Sequence, residues 1–319
     1  MFPPGTRVLA AVSGGPDSIC LLHTLVRLRR MFRIDVACFH FDHRLRKGSD
    51  ADAGYVRGQA RRLGLPFVLR AASSSPGRGE SVEAWARTVR YEALMQVLEE
   101  LGGGLAAVGH TADDQAETVL LALLRGGGLE AVSAMTPVSH PLIRPLLEVT
   151  REETAAFCRA LGLRPRRDPM NEDPAFMRVA LRNRIIPDLE RALGRNVRAT
   201  LARTASLLKQ DAELLDQLAR AAEPKVVHVD GGHTLLSARS LRELPPPLAD
   251  RIARRAMLSL GVLPEAGHVK AVVALASARP GRTTSLPAGL LARRETEYVR
   301  LSRSSPEQGR RVARRRVPG

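Results

Sequence analysis

The sequence contains, at residues 7–22, the run Arg7-Val8-Leu9-Ala10-Ala11-Val12-Ser13-Gly14-Gly15-Pro16-Asp17-Ser18-Ile19-Cys20-Leu21-Leu22. Its apolar first part predicts a buried strand, and a proline after two glycines suits the first turn of a helix. Glycines let backbone N–H groups approach an anion, and the helix N-terminus adds a partial positive charge. We therefore predict a phosphate-binding turn in which Ser13 and Ser18 are hydroxyl donors. An ordinary strand-to-helix turn, capped by Asp17 or Ser18, is the alternative.

The spacing of this turn separates it from two common phosphate-binding loops. It lacks the lysine of the Walker loop, and it does not have the Gly-x-Gly-x-x-Gly pattern. The segment Ser13–Ser18 instead resembles the pyrophosphate loop, Ser-Gly-Gly-x-Asp-Ser, of the N-type ATP pyrophosphatases, or PP-loop family. That resemblance implies a protein that splits ATP between its α and β phosphates and transfers the adenylate to a carbonyl or carboxylate oxygen.

Composition favours a large polyanionic partner. The chain has 319 residues, enough for two or more domains, and a formal net charge of +16. Neutralisation of phosphates by such charge supplies most nonspecific nucleic-acid affinity, although an arginine bias can also reflect genome base composition. Aromatic residues are only 3% of the chain, which argues against stacking on many bases. The sequence shows no apolar run long enough to span a bilayer and no signal-peptide pattern, so we expect a cytosolic protein without a membrane partner.

Apolar runs and helical patterns alternate through the first half of the chain. Strands are predicted at 34–41, 67–70 and 105–109, and helices at 49–64 and from Ser81 onward. This alternation predicts an α/β fold, a Rossmann-like parallel sheet with helices on both faces. Ligands of such sheets bind at the carboxyl ends of the strands.

Polar residues follow several of these predicted strands. They are Asp42 and His43 after the second, Arg87 and Arg90 on one face of the helix after the third, and Asp113, Asp114 and Glu117 after the fourth. Paired carboxylates that open a helix suit a site for Mg²⁺ and triphosphate. They also suit the first turn of any helix, with Glu117 as a capping partner, and two arginines on one helix face can simply be solvated.

Four motifs occur in order at these positions: Ser13–Ser18, Phe41-Asp42-His43-x-Leu45-Arg46, Ala86-Arg87-x-x-Arg90-Tyr91 and His110-Thr111-Ala112-Asp113-Asp114-Gln115-Ala116-Glu117-Thr118. Together they resemble the tRNA(Ile)-lysidine synthetase family. The resemblance extends through Arg144-Pro145-Leu146-Leu147, Asp168-Pro169-x-Asn171 and Arg182-Asn183-Arg184, and so covers residues 7–190. The sequence departs from the family at Phe41, Arg44, Ala122 and Ala134, and Arg44 stands where the family has glycine in a turn.

The family resemblance implies a two-step reaction. ATP adenylates the C2 oxygen of the wobble cytidine in a CAU-anticodon tRNA(Ile), and the ε-amine of L-lysine then displaces AMP. The implied ATP-binding residues are Ser13, Gly14, Gly15, Pro16, Asp17 and Ser18, with Arg87 and Arg90 on the phosphates. Asp42 and His43 would face the nucleotide or the activated base. Asp113 and Asp114 would hold Mg²⁺ or the lysine amine, supported by Glu117, and Arg182 and Arg184 would meet the tRNA or the adenylate.

The rest of the chain divides by pattern into further predicted regions. We predict a catalytic domain at 1–187, a helical linker at 188–222 with a break at Gly194, a small α+β tRNA-binding domain at 223–304, and a basic, disordered tail at 305–319. The resemblance implies the shorter form of the family, without a further C-terminal domain. The oligomeric state stays open, a homodimer being one alternative.

Three other functions compete with this interpretation. Another PP-loop enzyme, such as a tRNA 2-thiolating enzyme, would share the fold, but it usually needs a cysteine pair, and Cys20, Cys38 and Cys158 lie far apart in the sequence. A basic RNA-binding protein with a vestigial ATP loop would release no pyrophosphate. An amidating ligase related to GMP or NAD synthetases would not need tRNA, and the net charge disfavours it.

Overall fold

The structure is a computed structural model, and it describes residues 3–45, 48–133, 135–166, 177–231 and 233–303. Arg46, Ala134, the segment 168–171 and the predicted tail lie outside the described residues. The chain forms two compact units, Met1–Lys209 and Gln210–Gly319. The predicted domain boundaries, which place a separate linker at 188–222, stay a prediction.

The first unit alternates strands and helices as predicted. Its elements are β1 (Arg7–Ala11), α1 (Pro16–Phe32), β2 (Asp35–Asp42), α2 (Ser49–Arg62), β3 (Phe67–Ala71), α3 (Val82–Glu100), β4 (Leu105–Val108), α4 (Ala112–Leu124), α5 (Leu129–Val132), β5 (Val138–Ser139), β6 (Leu142–Ile143), α6 (Arg151–Ala160), α7 (Met177–Ala180), a π-helical turn (Leu181–Ile185) and α8 (Ile186–Leu193). Helix α9 (Val197–Ala222) begins in this unit. The break at Gly194 is confirmed, because this residue ends α8 in a left-handed conformation, at φ 61°.

A six-stranded sheet in the order β3-β2-β1-β4-β6-β5 forms the centre of the first unit. Strands β1, β2, β3, β4 and β6 are parallel, and the short β5 pairs antiparallel with β6 at the edge. Successive βα units run from β1 to β3 on one side, and the chain then crosses to β4 on the other side of β1. The order therefore reverses beside β1, which is where ligands bind in open α/β sheets.

Alternate residues of the central strands pack into two separate cores. Val8 and Ala10 of β1 lie in one core with buried side chains of α1, α2 and α6. Leu9, between them, lies in the other core with Trp85 and Leu94 of α3. Because successive strand residues point to opposite faces, this division places helices on both faces of the sheet. The predicted Rossmann-like fold is confirmed.

The second unit is a small α+β domain, as predicted. Its elements are the end of α9, β7 (Val227–Asp230), β8 (His233–Ser237), α10 (Ala238–Glu243), α11 (Pro246–Ser259), α12 (Ala266–Leu275), β9 (Thr283–Ser285), β10 (Leu290–Arg294) and β11 (Tyr298–Arg303). The strands form an antiparallel sheet in the order β7-β8-β11-β10-β9. Ile252 and Met257 of α11 pack in one core with Val299 and Leu301 of β11. Within the described residues, no helix is both long and apolar enough to cross a bilayer.

Candidate active site

The turn between β1 and α1 is organised by the hydroxyl group of Ser18. Its Oγ accepts hydrogen bonds from the backbone N–H groups of Ser13 and Gly14, at 3.2 and 3.1 Å, and donates to the carbonyl of Gly15 at 2.9 Å. Two N–H groups of the predicted anion cradle thus converge on one oxygen atom. The first N–H groups of α1 have no acceptor within the helix, so the turn presents donors in the direction of its opening.

Two glycines allow this turn to lie close to its neighbours. Gly14 has φ +101°, a conformation that strains any residue with a Cβ atom. Gly109 follows β4 and lies against the first turn of α1. A Cβ atom at this position would lie only 3.2 Å from the carbonyl oxygen of Asp17 and 3.2 Å from Cα of Ser18. The end of β4 therefore packs directly on the first turn of α1. Sequence reasoning did not single out Gly109.

The end of β2 forms a tight turn that places Asp42 and His43. Asp42 is buried, and its Oδ1 accepts a hydrogen bond from the N–H of Arg44 at 2.9 Å. Arg44 has φ 53°, so the turn keeps the left-handed conformation that glycine favours, although arginine stands there. The His43 ring lies edge-on to Phe41, at 4.8 Å between centroids, and 6.4 Å from Trp85 of α3. The predicted pair is therefore held at the carboxyl edge of the sheet.

Arg87 and Arg90 of α3 both lie over the ring of Tyr91, at 5.0 and 5.6 Å from its centroid. Their charges also act on His110, at the end of β4. Burial lowers the pKa of His110, and Arg87 and Arg90 act in the same direction. Since the Nε of Arg144 donates to Nδ1 of His110 at 3.2 Å, the neutral ring carries its proton on Nε2. The structure thus brings the two predicted arginines close to a neutral histidine donor.

Helix α4 begins with a capping box. Thr111 Oγ1 accepts from the N–H of Asp114 at 3.4 Å, and Asp114 Oδ2 accepts from the N–H of Thr111 at 2.8 Å. The capping partner in this helix is Asp114, three residues after the cap, rather than Glu117. Glu117 lies one turn further along α4, and its side chain is only 1% exposed. A carboxylate so deeply buried requires partners of opposite charge.

One of those partners, Arg151, comes from outside the predicted motifs. This residue opens α6, and its guanidinium Nη1 donates to Glu117 Oε1 at 2.6 Å, while Nη2 donates to Asp114 Oδ1. Its Nε lies 3.6 Å from Asp17 Oδ2, and its backbone N–H donates to Asp113 Oδ2 at 2.8 Å. Burial opposes the charge of this guanidinium, but Asp114 and Glu117 outweigh burial and raise the pKa of Arg151. One residue thus contacts four carboxylates.

Arg182 and Arg198 complete the contacts. Arg182 Nε and Nη2 donate to the two oxygens of Glu117 at 2.8 and 3.1 Å, a bidentate pair. Arg182 lies in the π-helical turn, a local irregularity that is frequent at functional sites. Arg198 Nε lies 3.2 Å from Asp113 Oδ1, and its Nη1 donates to Glu190 Oε2 at 2.5 Å. Arg184, the other predicted substrate contact, is exposed to solvent.

These residues form a continuous carboxylate–arginine network within the first unit. Its members are Asp17, Asp113, Asp114, Glu117, Glu190, Arg151, Arg182 and Arg198. Five carboxylates share three guanidinium groups, so the network carries a formal excess of two negative charges when all its members are ionised. Such an excess, at the carboxyl edge of a sheet and partly buried, favours a cationic ligand.

Asp17 is the member of the network that joins it to the phosphate turn. Thr154 Oγ1, one turn after Arg151 in α6, donates to Asp17 Oδ1. Burial raises the pKa of Asp17, against the opposing effects of Thr154 and Arg151. A raised pKa means that the protein stabilises the neutral carboxyl over the carboxylate. Holding this acid ionised beside the turn therefore has an energetic cost, which is typical of functional sites.

The predicted Mg²⁺ ligands, Asp113 and Asp114, are bonded to other groups of the protein in this arrangement. Each of their four carboxylate oxygens already faces an N–H or O–H donor, from Thr111, Arg151, Arg182 or Arg198. Within the part of the chain that the structure describes, no group of three His, Cys, Asp or Glu side chains has the geometry to hold a metal ion. The assignment of Mg²⁺ or of the lysine amine to Asp113 and Asp114 stays a prediction.

The sequence prediction missed Arg151 and Thr154. The missed helix α6 had a usable signal, because Thr150-Arg151-Glu152-Glu153 forms a capping box, with the N–H of Thr150 donating to Glu153 Oε2 at 2.8 Å. That signal would have located the helix. It would not have indicated that Arg151 points into the site.

Two protein families match this sequence over successive regions. Residues 3–189 match the family described as PP-loop domain, and residues 236–300 match the TilS substrate binding domain. A tRNA(Ile)-lysidine synthase from Salinispora tropica is 41% identical over 297 residues, which cover 91% of this chain and 88% of that protein. Another, from Symbiobacterium thermophilum, is 39% identical over 97% of this chain and 68% of its own length.

The fold also resembles a solved structure. The U34-tRNA thiolase NcsA from Methanococcus maripaludis, described with its [4Fe-4S] cluster, has a TM-score of 0.55 and 16% identity. The match covers 65% of this chain and 74% of that chain. At this level of identity the likeness concerns the fold alone.

Proposed function

The chain belongs to the tRNA(Ile)-lysidine synthase family, and on that basis we propose how the described site carries out the reaction. The protein is an ATP-dependent carbon–nitrogen ligase that modifies tRNA(Ile). We place the reaction at the carboxyl edge of the parallel sheet, between the phosphate turn and the carboxylate–arginine network. The reaction has two steps, because the C2 oxygen of the cytidine is a poor leaving group that must be activated before it is displaced.

In the first step, the C2 oxygen of the wobble cytidine attacks the α phosphate of ATP. A new P–O bond forms, the α–β phosphate bond breaks, and pyrophosphate leaves. The N–H groups of the first turn of α1, which have no acceptor within the helix, receive the charge that develops on the phosphates, while those of Ser13 and Gly14 bond to the Ser18 hydroxyl and so shape the turn. Arg87, Arg90 and the Nε2–H of His110 lie around the same edge and complete the set of donors. Positioning and fixed charges of this kind supply most of the rate enhancement in phosphoryl chemistry.

In the second step, the ε-amine of L-lysine attacks C2 of the adenylated cytidine. A C–N bond forms, the C2–O bond breaks with release of AMP, and the amine loses its proton. We assign the approaching ammonium group to Asp113 and Asp114, which the buried Glu117 supports through Arg151 and Arg182. Asp42 and His43 face the base from the end of β2, with Trp85 beside the His43 ring. We assign Arg184, which is exposed, to contact with tRNA.

The observation that carries this proposal is the joining of two features by Asp17. The phosphate turn and the carboxylate–arginine network meet at this one side chain, which lies at the start of α1 and bonds to α6. A phosphate site next to an acidic site matches the two substrates that must meet, a nucleotide and a cationic amine. The second unit, which includes residues 236–300, is assigned to tRNA binding.

A labelling experiment tests the proposal. The protein is incubated with ATP, Mg²⁺, labelled lysine and unmodified CAU-anticodon tRNA(Ile), with elongator tRNA(Met) as the control. We expect label only in tRNA(Ile), and we expect it to survive mild base, which removes aminoacyl esters. Pyrophosphate release without label in RNA would reject lysine or this tRNA as the substrate, and absence of pyrophosphate release would favour a protein that only binds RNA.

A further inference from the structure

Arg151 is the residue with the most contacts in the site and lies outside every motif that indicated the function. Its guanidinium contacts acids from two elements, Asp17 at the start of α1 and Asp114 and Glu117 on α4. These elements follow neighbouring strands, β1 and β4, and their helix starts carry different tasks in the proposed reaction. Among the residues that the structure describes, no other side chain forms ion pairs with acids of both α1 and α4.

Helix α6 places this guanidinium by three further contacts. The backbone N–H of Arg151 donates to Asp113, Thr154 donates to Asp17, and the Cys158 thiol lies 3.5 Å from the carbonyl of Pro16. The capping box of Thr150 and Glu153 determines where the helix begins. The position of Arg151 is therefore fixed by backbone and side-chain contacts on both sides, which reduces the entropy that is lost when its side chain is ordered.

We propose that Arg151 is the positioning residue that holds the phosphate turn and helix α4 in one arrangement, so that adenylation of the C2 oxygen and lysine attack on C2 occur at the same base. The proposal rests on the proposed function. A guanidinium is suited to this task, because its planar set of five donors can bond several carboxylates at once. Lysine has one compact charge and could replace only part of these contacts. Without Arg151, Asp17 loses its ion pair with that guanidinium, and Asp114 and Glu117 are left to share Arg182.

The first test compares the two steps in Arg151→Ala. The adenylation step is read as single-turnover pyrophosphate release with tRNA and ATP but without lysine, and the second step as lysine incorporation. We expect both to fall by about 100-fold, since two charge-assisted hydrogen bonds and an ion pair are lost. The rates of Arg151→Lys should lie between those of the wild type and those of Arg151→Ala, with a loss of about 10-fold in each step. Arg159→Ala, on the exposed side of the same helix, should stay within about twofold of the wild type.

Chemical rescue separates positioning from a general loss of structure. Guanidinium ion added to Arg151→Ala fits the space of the deleted group, so we expect millimolar guanidinium to restore both steps by about 10-fold and methylammonium to restore them less. The same salt should not raise the activity of the wild type. Circular dichroism checks that the variant is folded. If Arg151→Ala does not fold, Arg151→Lys supplies the same comparison between the two steps.

Three results would overturn the assignment. They are wild-type rates in Arg151→Ala, a loss confined to lysine incorporation, and a loss in the folded variant that neither guanidinium nor the Arg151→Lys substitution reduces. The proposed function fails separately. If the wild-type protein releases pyrophosphate but transfers no lysine, the substrate assignment is rejected, while the ratio of variant to wild-type pyrophosphate release still tests Arg151.

Discussion

Among the individual residues, Asp17 carries the strongest conflict between stability and function. Its carboxyl group is partly buried beside the phosphate turn, where Thr154 and Arg151 reduce the cost of its charge but do not remove it. Because burial raises its pKa, Asp17 contributes stability that is present below the unfolded value near 3.8 and lost as pH rises through the raised folded value. Such a cost is retained where the charge is needed for activity.

We therefore predict opposite effects of Asp17→Asn on stability and on activity. Relative to the wild type, the free energy of unfolding of the variant should improve as pH rises from about 4 to about 7, because asparagine does not ionise. Turnover should be abolished. Urea unfolding across this pH range measures the first effect, and pyrophosphate release measures the second.

Glu153→Gln supplies a control of opposite sign. The hydrogen bonds from Thr150 lower the pKa of Glu153, so its carboxylate contributes stability that is present above the unfolded value near 4.5 and lost as pH falls through the folded value. This variant should lose stability relative to the wild type as pH rises. Parallel pH profiles for the two variants would contradict the assignment of charge in the site.

Glu117 should affect the second step more than the first. It is buried and bonded by Arg151 and Arg182, and we assign it to support Asp114, which receives the lysine amine. Glu117→Gln keeps the shape but removes the charge, and one charge-assisted hydrogen bond is worth about 1.5–3 kcal/mol. We expect kcat/KM for lysine to fall about 10- to 100-fold, with pyrophosphate release changed less. Glu100→Gln, at an exposed ion pair with Arg70, is the matched control and should leave both steps unchanged.

Among the structural elements, the phosphate turn depends on backbone conformation more than on side chains. Gly14 has φ +101°, while the atoms nearest to an added Cβ would lie at 3.6 Å or more, so strain rather than crowding decides the effect of a substitution. The two N–H groups that converge on Ser18 Oγ need this conformation. The turn and the helix N-terminus act as one anion-binding element.

Gly14→Ala should therefore reduce stability by about 1–3 kcal/mol and weaken ATP use by at least about 10-fold. Gly58→Ala provides the contrast, because Gly58 lies inside α2 with open space around it. There, alanine should stabilise the protein by about 0.5–1 kcal/mol without a change in ATP use. Thermal unfolding and the KM for ATP measure both variants. Equal behaviour of the two variants would show that the turn does not need its left-handed glycine.

For the molecule as a whole, positive charge should govern the encounter with tRNA. The formal net charge is +16, although the carboxylate–arginine network itself carries excess negative charge. An acidic site inside a basic protein separates the two ligands, because long-range attraction draws the polyanion and the local field draws the amine. The salt dependence of KM should therefore differ between tRNA and lysine.

We predict that KM for tRNA rises at least about 10-fold between about 50 mM and about 200 mM salt, while KM for ATP changes little. Truncation after Arg303 removes five arginines and one glutamate, so it should make the slope of log KM against log salt shallower. Steady-state kinetics at several salt concentrations measure both slopes. An unchanged slope in the truncated protein would mean that this segment does not contact RNA.

Features that depend on neighbours along the chain could be predicted from the sequence alone. Periodic apolar residues indicated the strands and helices of both units, because burial acts on patterns of two or about 3.6 residues. The segment Ser13–Ser18 predicted its own turn, since a left-handed glycine, a hydroxyl and a helix start are local requirements. Local sequence also predicted the break at Gly194. It predicted that Asp42, Asp113 and Asp114 lie at the carboxyl edge of the sheet, because each follows a strand.

Which charges meet, in contrast, depends on tertiary packing. Thr154 and Asp17 are 137 residues apart in sequence, and Arg182 and Glu117 are 65 apart. Among 49 lysines and arginines, no local pattern distinguishes Arg151 from a solvated arginine, because an ion pair depends on distance in space and on burial. The crossing from β3 to β4 and the packing of α6 on α1 create that proximity. They turn separate acids, predicted to hold a metal or an amine, into one arginine-bound network.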